Sequence, residues 1–394
     1  MTEPAAAPAR YRWAILAIAW FALLLSAADR SLWAITAPVA ARDLGLSPVL
    51  ALGAFVTATQ SGYLVALLFG SIAADWFGPR RMLTVALCWL GLAMFAFGRS
   101  TSLPHGLVAQ FGVGMGAAPV FAIGMKLIVN WFAPDRRAGA ISLFMTALPT
   151  PTILVNLVAP IGIGLLGWRG NYTLVAGITL AAGVLFAIFV GDGPAARTAP
   201  AQRPSSLKPL WDSRAFRCIV IANMAGPCAS WGFMTWANLI LVERHALSIA
   251  QSGVIVASYG AGAFAGLLLS GPVCDRLGLD RRRATMGCFI AFALGLLVTG
   301  SLDELAAVRV AVPLLGVLAY AYAPLLNTML AHAAGALAAS AAGLATMLTF
   351  AAEGVQPLVS GGIYTHTHSF QAVCAALAAG PVVAAIAIAR APAQ

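Results

Sequence analysis

Apolar runs follow one another along almost the whole chain, at about 13–40, 51–74, 82–98, 106–132, 138–165, 171–190, 215–242, 249–274, 284–301, 305–331, 341–364 and 370–389. Each is long enough for a helix to cross the hydrocarbon core of a bilayer, which takes ~20 residues. In hydrocarbon every backbone N–H and C=O must be satisfied within the protein, so spanning segments are helices or parts of a closed barrel. A barrel would read as shorter segments alternating apolar and polar residues, and these runs are continuously apolar. The 394 residues are 61% hydrophobic and 9% charged. That is too little charge to coat a soluble domain and too apolar for a disordered chain. The expectation is an all-α integral membrane protein with twelve transmembrane helices.

The formal charge of +10 would suggest nucleic acid in a soluble protein. Its distribution says otherwise. With the N-terminus placed in the cytosol, sixteen basic residues fall in cytosolic segments and four (Arg42, Arg99, Arg169 and Arg244) on the opposite side. This bias follows the positive-inside rule with both termini cytosolic. It makes the basic surplus a topology signal and argues against a nucleic-acid partner. Arg10 and Arg12 ahead of an apolar run imitate a cleaved leader, but the run is longer than most leader cores and resumes through Pro38.

Residues 191–213, rich in Pro, Ala and Ser, read as a flexible cytosolic linker. They separate an N-terminal six-helix bundle at 1–190 from a C-terminal one at 214–394. An internal repeat supports the division. Asp75-Trp76-Phe77-Gly78-Pro79-Arg80-Arg81 follows the second run, and Asp275-Arg276-Leu277-Gly278-Leu279-Asp280-Arg281-Arg282 follows the eighth. Matching loops at matching positions mean a duplicated six-helix unit.

These loops resemble the G-x-x-x-D-R-x-G-R-R loop of the major facilitator superfamily. The second copy keeps Gly271 four residues before Asp275; the first has Ser71 there and Trp76 for the basic residue. A narrower resemblance rests on Asp29-Arg30, Tyr63, Trp131-Phe132-Ala133-Pro134-Asp135-Arg136-Arg137-Ala138 and Gly167-Trp168-Arg169. These pieces are similar to the anion:cation symporter branch, which implies carriage of sugar acids and other carboxylates, often with protons. Two departures bear on coupling. Gln110 and Ala117 stand where that branch usually has an arginine and a glutamate, and Ser26-Ala27 replaces the Asn-Tyr before the Asp-Arg pair. Span 5 lacks the glycine-proline-glycine pattern of drug antiporters and offers Pro149, Thr150, Pro151 and Asn156 instead.

An ionisable side chain near mid-membrane costs about 2.5–3.5 kcal/mol on insertion scales and persists when paired, wetted or functional. Asp29, Arg30, Lys126, Arg309 and Glu353 stand inside spans. Adjacent residues on a helix point about 100° apart, so Asp29 and Arg30 do not simply cancel. Arg30 is read as the substrate anchor, because its planar fork matches a carboxylate, and Asp29 as the coupling-proton site. The bland alternative is a structural ion pair. Arg309 begins a stripe with Pro313, Gly316, Tyr320 and Asn327; it either clamps the anion or snorkels outward. Glu353 is a second proton site or a neutral hydrogen-bonded acid. Lys126 is a ligand or a snorkelling anchor. Asn223, Pro227, Trp231, Thr235 and Asn238 at helical spacing read as a cavity wall or as packing residues. Tyr63 joins the substrate residues through the branch resemblance.

Asp75, Arg80 and Arg81, with Asp275, Arg276 and Arg282, read as cytosolic charge networks that gate one face. The six cysteines are scattered without a paired motif and read as small hydrophobes. His366 and His368 read as a solvated turn rather than a metal site. No phosphate-cradling loop is present, so ATP-driven transport is not expected. No nucleophile–base set or acidic metal site marks a membrane enzyme, and no cofactor is expected. The reading is a monomeric secondary transporter of the cytoplasmic membrane, with the major facilitator fold of two six-helix bundles. Its partners are a small organic anion, protons and the bilayer. A proton-coupled exporter of drugs or metabolites is the alternative.

Overall fold

The computed structural model describes residues 9–132, 134–189 and 208–392. The side chains of residues 68–77, Asp75 among them, lie outside the described set, as does 190–207 of the expected linker. Among the described residues thirteen α-helices follow in order: α1 Ala9–Asp43, α2 Pro48–Phe77, α3 Pro79–Gly98, α4 Leu103–Trp131, α5 Pro134–Met145, α6 Thr150–Phe189, α7 Lys208–Asp212, α8 Arg214–Arg244, α9 Ile249–Arg276, α10 Arg281–Ser301, α11 Leu305–Ala334, α12 Ala338–Thr367 and α13 Phe370–Arg390. No strand occurs among the described residues.

All twelve apolar runs lie on helices. Span 5 differs from the continuous 138–165 expected: turns at 146–149 separate α5 from α6. Pro149 and Pro151 stand where the chain turns, and proline has no N–H with which to continue a helix from the previous turn. Spans 5 and 6 then share α6, broken at Gly167, whose φ is 69°. Pro38, Pro119, Pro227 and Pro357 are all accommodated inside their helices. The linker end is helical as the short α7, with Leu210 buried.

Local chemistry sets the ends. The repeated loops owe their glycine to backbone conformation: Gly78 and Gly278 have φ of 78° and 58°, where a Cβ is penalised. Helix α9 opens with a capping box, Ser248 and Gln251 each bonding the other's backbone N–H. Helix α10 is capped by the Asp280 carboxylate, and α13 by Ser369.

By contact the chain forms two compact units. The first comprises Met1–Arg30, Ala58–Pro151 and Gly162–Gln202; the second comprises Ser31–Thr57, Thr152–Ile161 and Arg203–Gln394. The first has a core of Ile15, Leu16, Leu23, Leu83, Leu87, Leu127, Phe144 and Phe186. Lipid tails are as apolar as leucine, so helices here associate through close packing of small residues. In the first unit, a Cβ on Gly62 or Gly114 would strike the carbonyls of Phe111 and Thr59, bringing α2 and α4 into backbone contact. In the second, Gly262 and Gly266 of α9 and Gly316 of α11 do the same. The second and fourth spans of each half therefore repeat one packing device.

Large apolar side chains are exposed on outer faces: Val85, Trp89 and Leu92 on α3, Val184, Leu185 and Ile188 on α6, Ile290, Leu294 and Leu297 on α10. Faces of this kind are a liability in water and are solvated in a bilayer. Among the described residues, ten helical stretches are long and apolar enough to cross a membrane, one of them the double-length run Gly139–Phe189. The protein is a multi-pass membrane protein.

Candidate functional site

In the first unit, Asp29 and Arg30 diverge as helix geometry requires. Asp29 is 2% exposed and points into the packed helices, within reach of the side chains of Gln110 on α4 and Tyr172 on α6. Gln110 is held by Thr59 of α2, whose hydroxyl donates to its side-chain oxygen at 2.8 Å. The glutamine at the position of the branch's usual arginine thus links α2 to α4 beside a buried carboxylate. Arg30 turns the other way, half-buried, with its guanidinium carbon 5.3 Å from the centre of the Tyr63 ring. The aromatic face attracts the cation. Lys126 is half-buried on α4.

In the second unit, the stripes expected on spans 7 and 10 meet. Asn223, Pro227, Ser230 and Trp231 of α8 and Tyr320, Tyr322 and Asn327 of α11 line a pocket of about 150 Å³. Its polar groups are uncharged. The back wall is tied by residues for which the sequence carried no signal: Ser230 donates to the Ala319 carbonyl at 2.8 Å and lies 3.2 Å from the Tyr322 hydroxyl. Tyr259 of α9 donates to the Ser230 carbonyl at 3.2 Å, and Phe289 of α10 stacks on Tyr322 at 4.4 Å. The Asn223 side-chain amide nitrogen is buried and has no hydrogen-bond partner within the protein, an unused donor in this wall. Glu353 of α12 is 5% exposed beside this layer, where Cys228 of α8 contacts the neighbouring Ala352 carbonyl.

Two expected substrate residues lie elsewhere. Arg309 is exposed in the second turn of α11, eleven residues from Tyr320 and therefore about 16 Å along the axis at the α-helical rise. Asn238 is 1% exposed, and both ends of its amide are hydrogen-bonded. Its nitrogen donates to the Asn156 side-chain oxygen of α6 at 2.9 Å, and its oxygen accepts from the Ser252 hydroxyl of α9 at 3.2 Å. Asn156 in turn donates to the Thr152 carbonyl at 2.8 Å, and the Thr152 hydroxyl meets the Met234 sulfur of α8. Gly253 admits the Asn156 backbone carbonyl where a Cβ would clash. Around this clasp, Thr57 donates to the Gly354 carbonyl, and Gly53 packs on Pro357. Segments 31–57 and 152–161, from the first half of the sequence, are thereby sealed against α8, α9 and α12.

The repeated loops also obey a common rule. Arg80 donates to the Ala187 carbonyl, with Nε at 3.1 Å. Arg282 donates to the Ile388 carbonyl at 3.1 Å and to the Ala389 carbonyl. In each half, an arginine in the first turn of the third span donates to carbonyls in the last turn of the sixth, the Ile388 carbonyl also accepting from the Ala391 N–H at 3.1 Å. Asp275 pairs with Arg281 at 3.2 Å, while Arg81 and Arg276 are exposed.

Comparison with known proteins decides the family. The model of the Major Facilitator Superfamily matches residues 19–357, with a second match at 230–391. The chain belongs to this superfamily. Among curated relatives, the hexuronate transporter of Bacillus subtilis (strain 168) is 27% identical over 63% of this chain, and the match spans 60% of that transporter. The probable L-galactonate transporter of Escherichia coli (strain K12) is 24% identical over 95% of this chain and 88% of its own length. The fold is that of the superfamily's solved members: a D-xylose–proton symporter superposes with a TM-score of 0.80 at 16% identity, covering 97% of this chain and 98% of that one.

Proposed function

We propose that this member of the superfamily is a secondary active transporter that moves a small organic anion, a carboxylate or sugar acid, across the cytoplasmic membrane with protons, by alternating access. The observation that carries the reading is Arg30 seated on Tyr63, one residue from the buried Asp29. Arg30 binds the carboxylate bidentately. In the second unit, the pocket of Trp231 and Tyr320 offers neutral donors and acceptors of the kind that pair with sugar hydroxyls. Asp29 takes the coupling proton, and Glu353, the other buried acid among the described residues, is a second station. The names of the two curated relatives, a hexuronate and a probable L-galactonate transporter, support a sugar-acid substrate. Both termini lie on the cytosolic side, and the working unit is a monomer. The loop residues Asp75, Arg80, Arg81, Asp275, Arg276 and Arg282 gate that side. A monovalent anion entering with more than one proton carries net positive charge, which the membrane potential drives by about 2.3 kcal/mol per charge per 100 mV.

The test is uptake of radiolabelled hexuronate and galactonate into proteoliposomes under an inward proton gradient. Gradient-stimulated uptake is expected, with loss in Arg30→Ala and no rescue by Arg30→Lys, which lacks the planar fork. Asp29→Asn should keep substrate binding and lose the gradient stimulation. Gradient-driven efflux of organic cations without anion uptake would replace this reading with the exporter.

A further inference from the structure

We propose that a recess at the polar end of α10, α11 and α13 binds the phosphate group of an anionic phospholipid. The recess has a volume of about 710 Å³, and its wall includes Arg281, Arg282 and Arg283 of α10 and His332 of α11. Three arginines face one acid, Asp280, and that acid is occupied: it accepts from the Arg283 backbone N–H at 3.3 Å as the cap of α10. Arg282 is fixed in place by the carbonyls of Ile388 and Ala389. Arg281 is turned by Asp275 at 3.2 Å, while Arg283 is only 3.8 Å from Asp280 and has an 86% exposed side chain. The first turn of the 21-residue helix α10 adds the positive end of its dipole. Arginine clusters of this kind match phosphate oxygens in charge and geometry.

The floor decides between a soluble phosphate and a lipid. Met286 lines the recess, and on the same face of α10 the exposed Ile290, Leu294 and Leu297 descend from it at helical spacing. Ala389 lines the α13 side, with the exposed Ile386 and Val382 below it. Helices α10 and α13 pack against each other, so a basic recess opens above two adjoining apolar faces. A soluble anion would use only the recess. A phospholipid uses both, its phosphate among the arginines and its acyl chains along the two faces. Orienting the chain in the membrane requires basic residues in a loop; it requires neither a three-helix recess nor an apolar floor.

Native mass spectrometry of the purified full-length chain, titrated with phosphatidylglycerol, phosphatidylcholine and glycerol 3-phosphate, tests this. Phosphatidylglycerol should bind at least about fivefold more tightly than phosphatidylcholine, the preference expected for one surface basic contact. Arg283→Gln should weaken phosphatidylglycerol binding about fivefold, and Met286→Trp, which fills the recess without changing charge, should weaken it comparably. Arg217→Gln, an exposed arginine of α8 outside the recess, should leave binding unchanged, with thermal midpoints confirming that all variants fold. If Met286→Trp misfolds, Arg283→Gln combined with His332→Gln takes its place. Equal binding of the two lipids, equal losses in Arg217→Gln and Arg283→Gln, or binding of glycerol 3-phosphate as tight as that of phosphatidylglycerol would each overturn the lipid site.

Discussion

Replacing Asn238 by alanine removes the centre of the buried chain that runs from Asn156 through Asn238 to Ser252. The Asn156 side-chain oxygen loses the donor now 2.9 Å away. Ser252 loses its 3.2 Å bond to Asn238 but keeps one to the Ile249 carbonyl at 3.0 Å. One buried acceptor is therefore orphaned, at about 1–3 kcal/mol. Asn156 and Asn238 are each 1% exposed, so water does not compensate while the helices stay together. It does compensate once segment 152–161 leaves α8 and α9. The penalty then falls on the packed arrangement, and the population with this end open should rise about 5- to 150-fold, at 1.4 kcal/mol per tenfold. A cysteine at Val256, a fully buried position one turn beyond Ser252 on α9, reports the opening. Its rate of modification by an impermeant maleimide, followed by mass spectrometry of the peptide carrying position 256, should rise by that factor in Asn238→Ala. Asn156→Ala cuts the same bond, so the double variant should label scarcely faster than the faster single variant. A labelling rate within about twofold of the parent, the usual scatter of independent effects, would refute the clasp.

The glycine contacts predict a paired result. Gly262→Ala should destabilise the protein by about 1–3 kcal/mol through overpacking against the Pro313 carbonyl, while Gly271→Ala, with nothing within 4 Å of the added carbon, should not lower the thermal midpoint. Arg80→Ala and Arg282→Ala should each lower the thermal midpoint, because each strips donors from carbonyls at the end of a sixth span; an unchanged midpoint would leave these arginines with gating alone. Trp231→Ala should raise the KM for a sugar acid in the proteoliposome assay while preserving stimulation by the proton gradient. Loss of gradient stimulation in that variant would move Trp231 from substrate contact to coupling.

Much of this architecture is legible along the chain, because the bilayer turns a three-dimensional problem into a linear one. A segment that must satisfy its own backbone in hydrocarbon announces itself by length and apolarity, and the described residues of the runs are almost wholly helical, the turns at 146–149 being the main interruption. The glycines of the repeated loops are readable for a similar reason, since positive φ at Gly78 and Gly278 is a local demand. The divergence of Asp29 from Arg30 follows from the 100° step of a helix, whatever surrounds it.

A stripe shows which residues share a face, but not what covers that face. Trp231 and Asn238 belong to one stripe, seven residues apart. The former lines a pocket with Tyr320, and the latter is buried against Asn156, 82 residues away in sequence. Arg309 and Tyr320 share another stripe, yet one is exposed and the other lines the pocket. Ser230 and Ser252 look like any small residues of a membrane helix until Tyr322 and Asn238 arrive beside them. Burial and hydrogen bonding depend on neighbours contributed by other helices. Periodicity along a single helix contains no information about them, so the roles of these side chains are settled only when the helices pack.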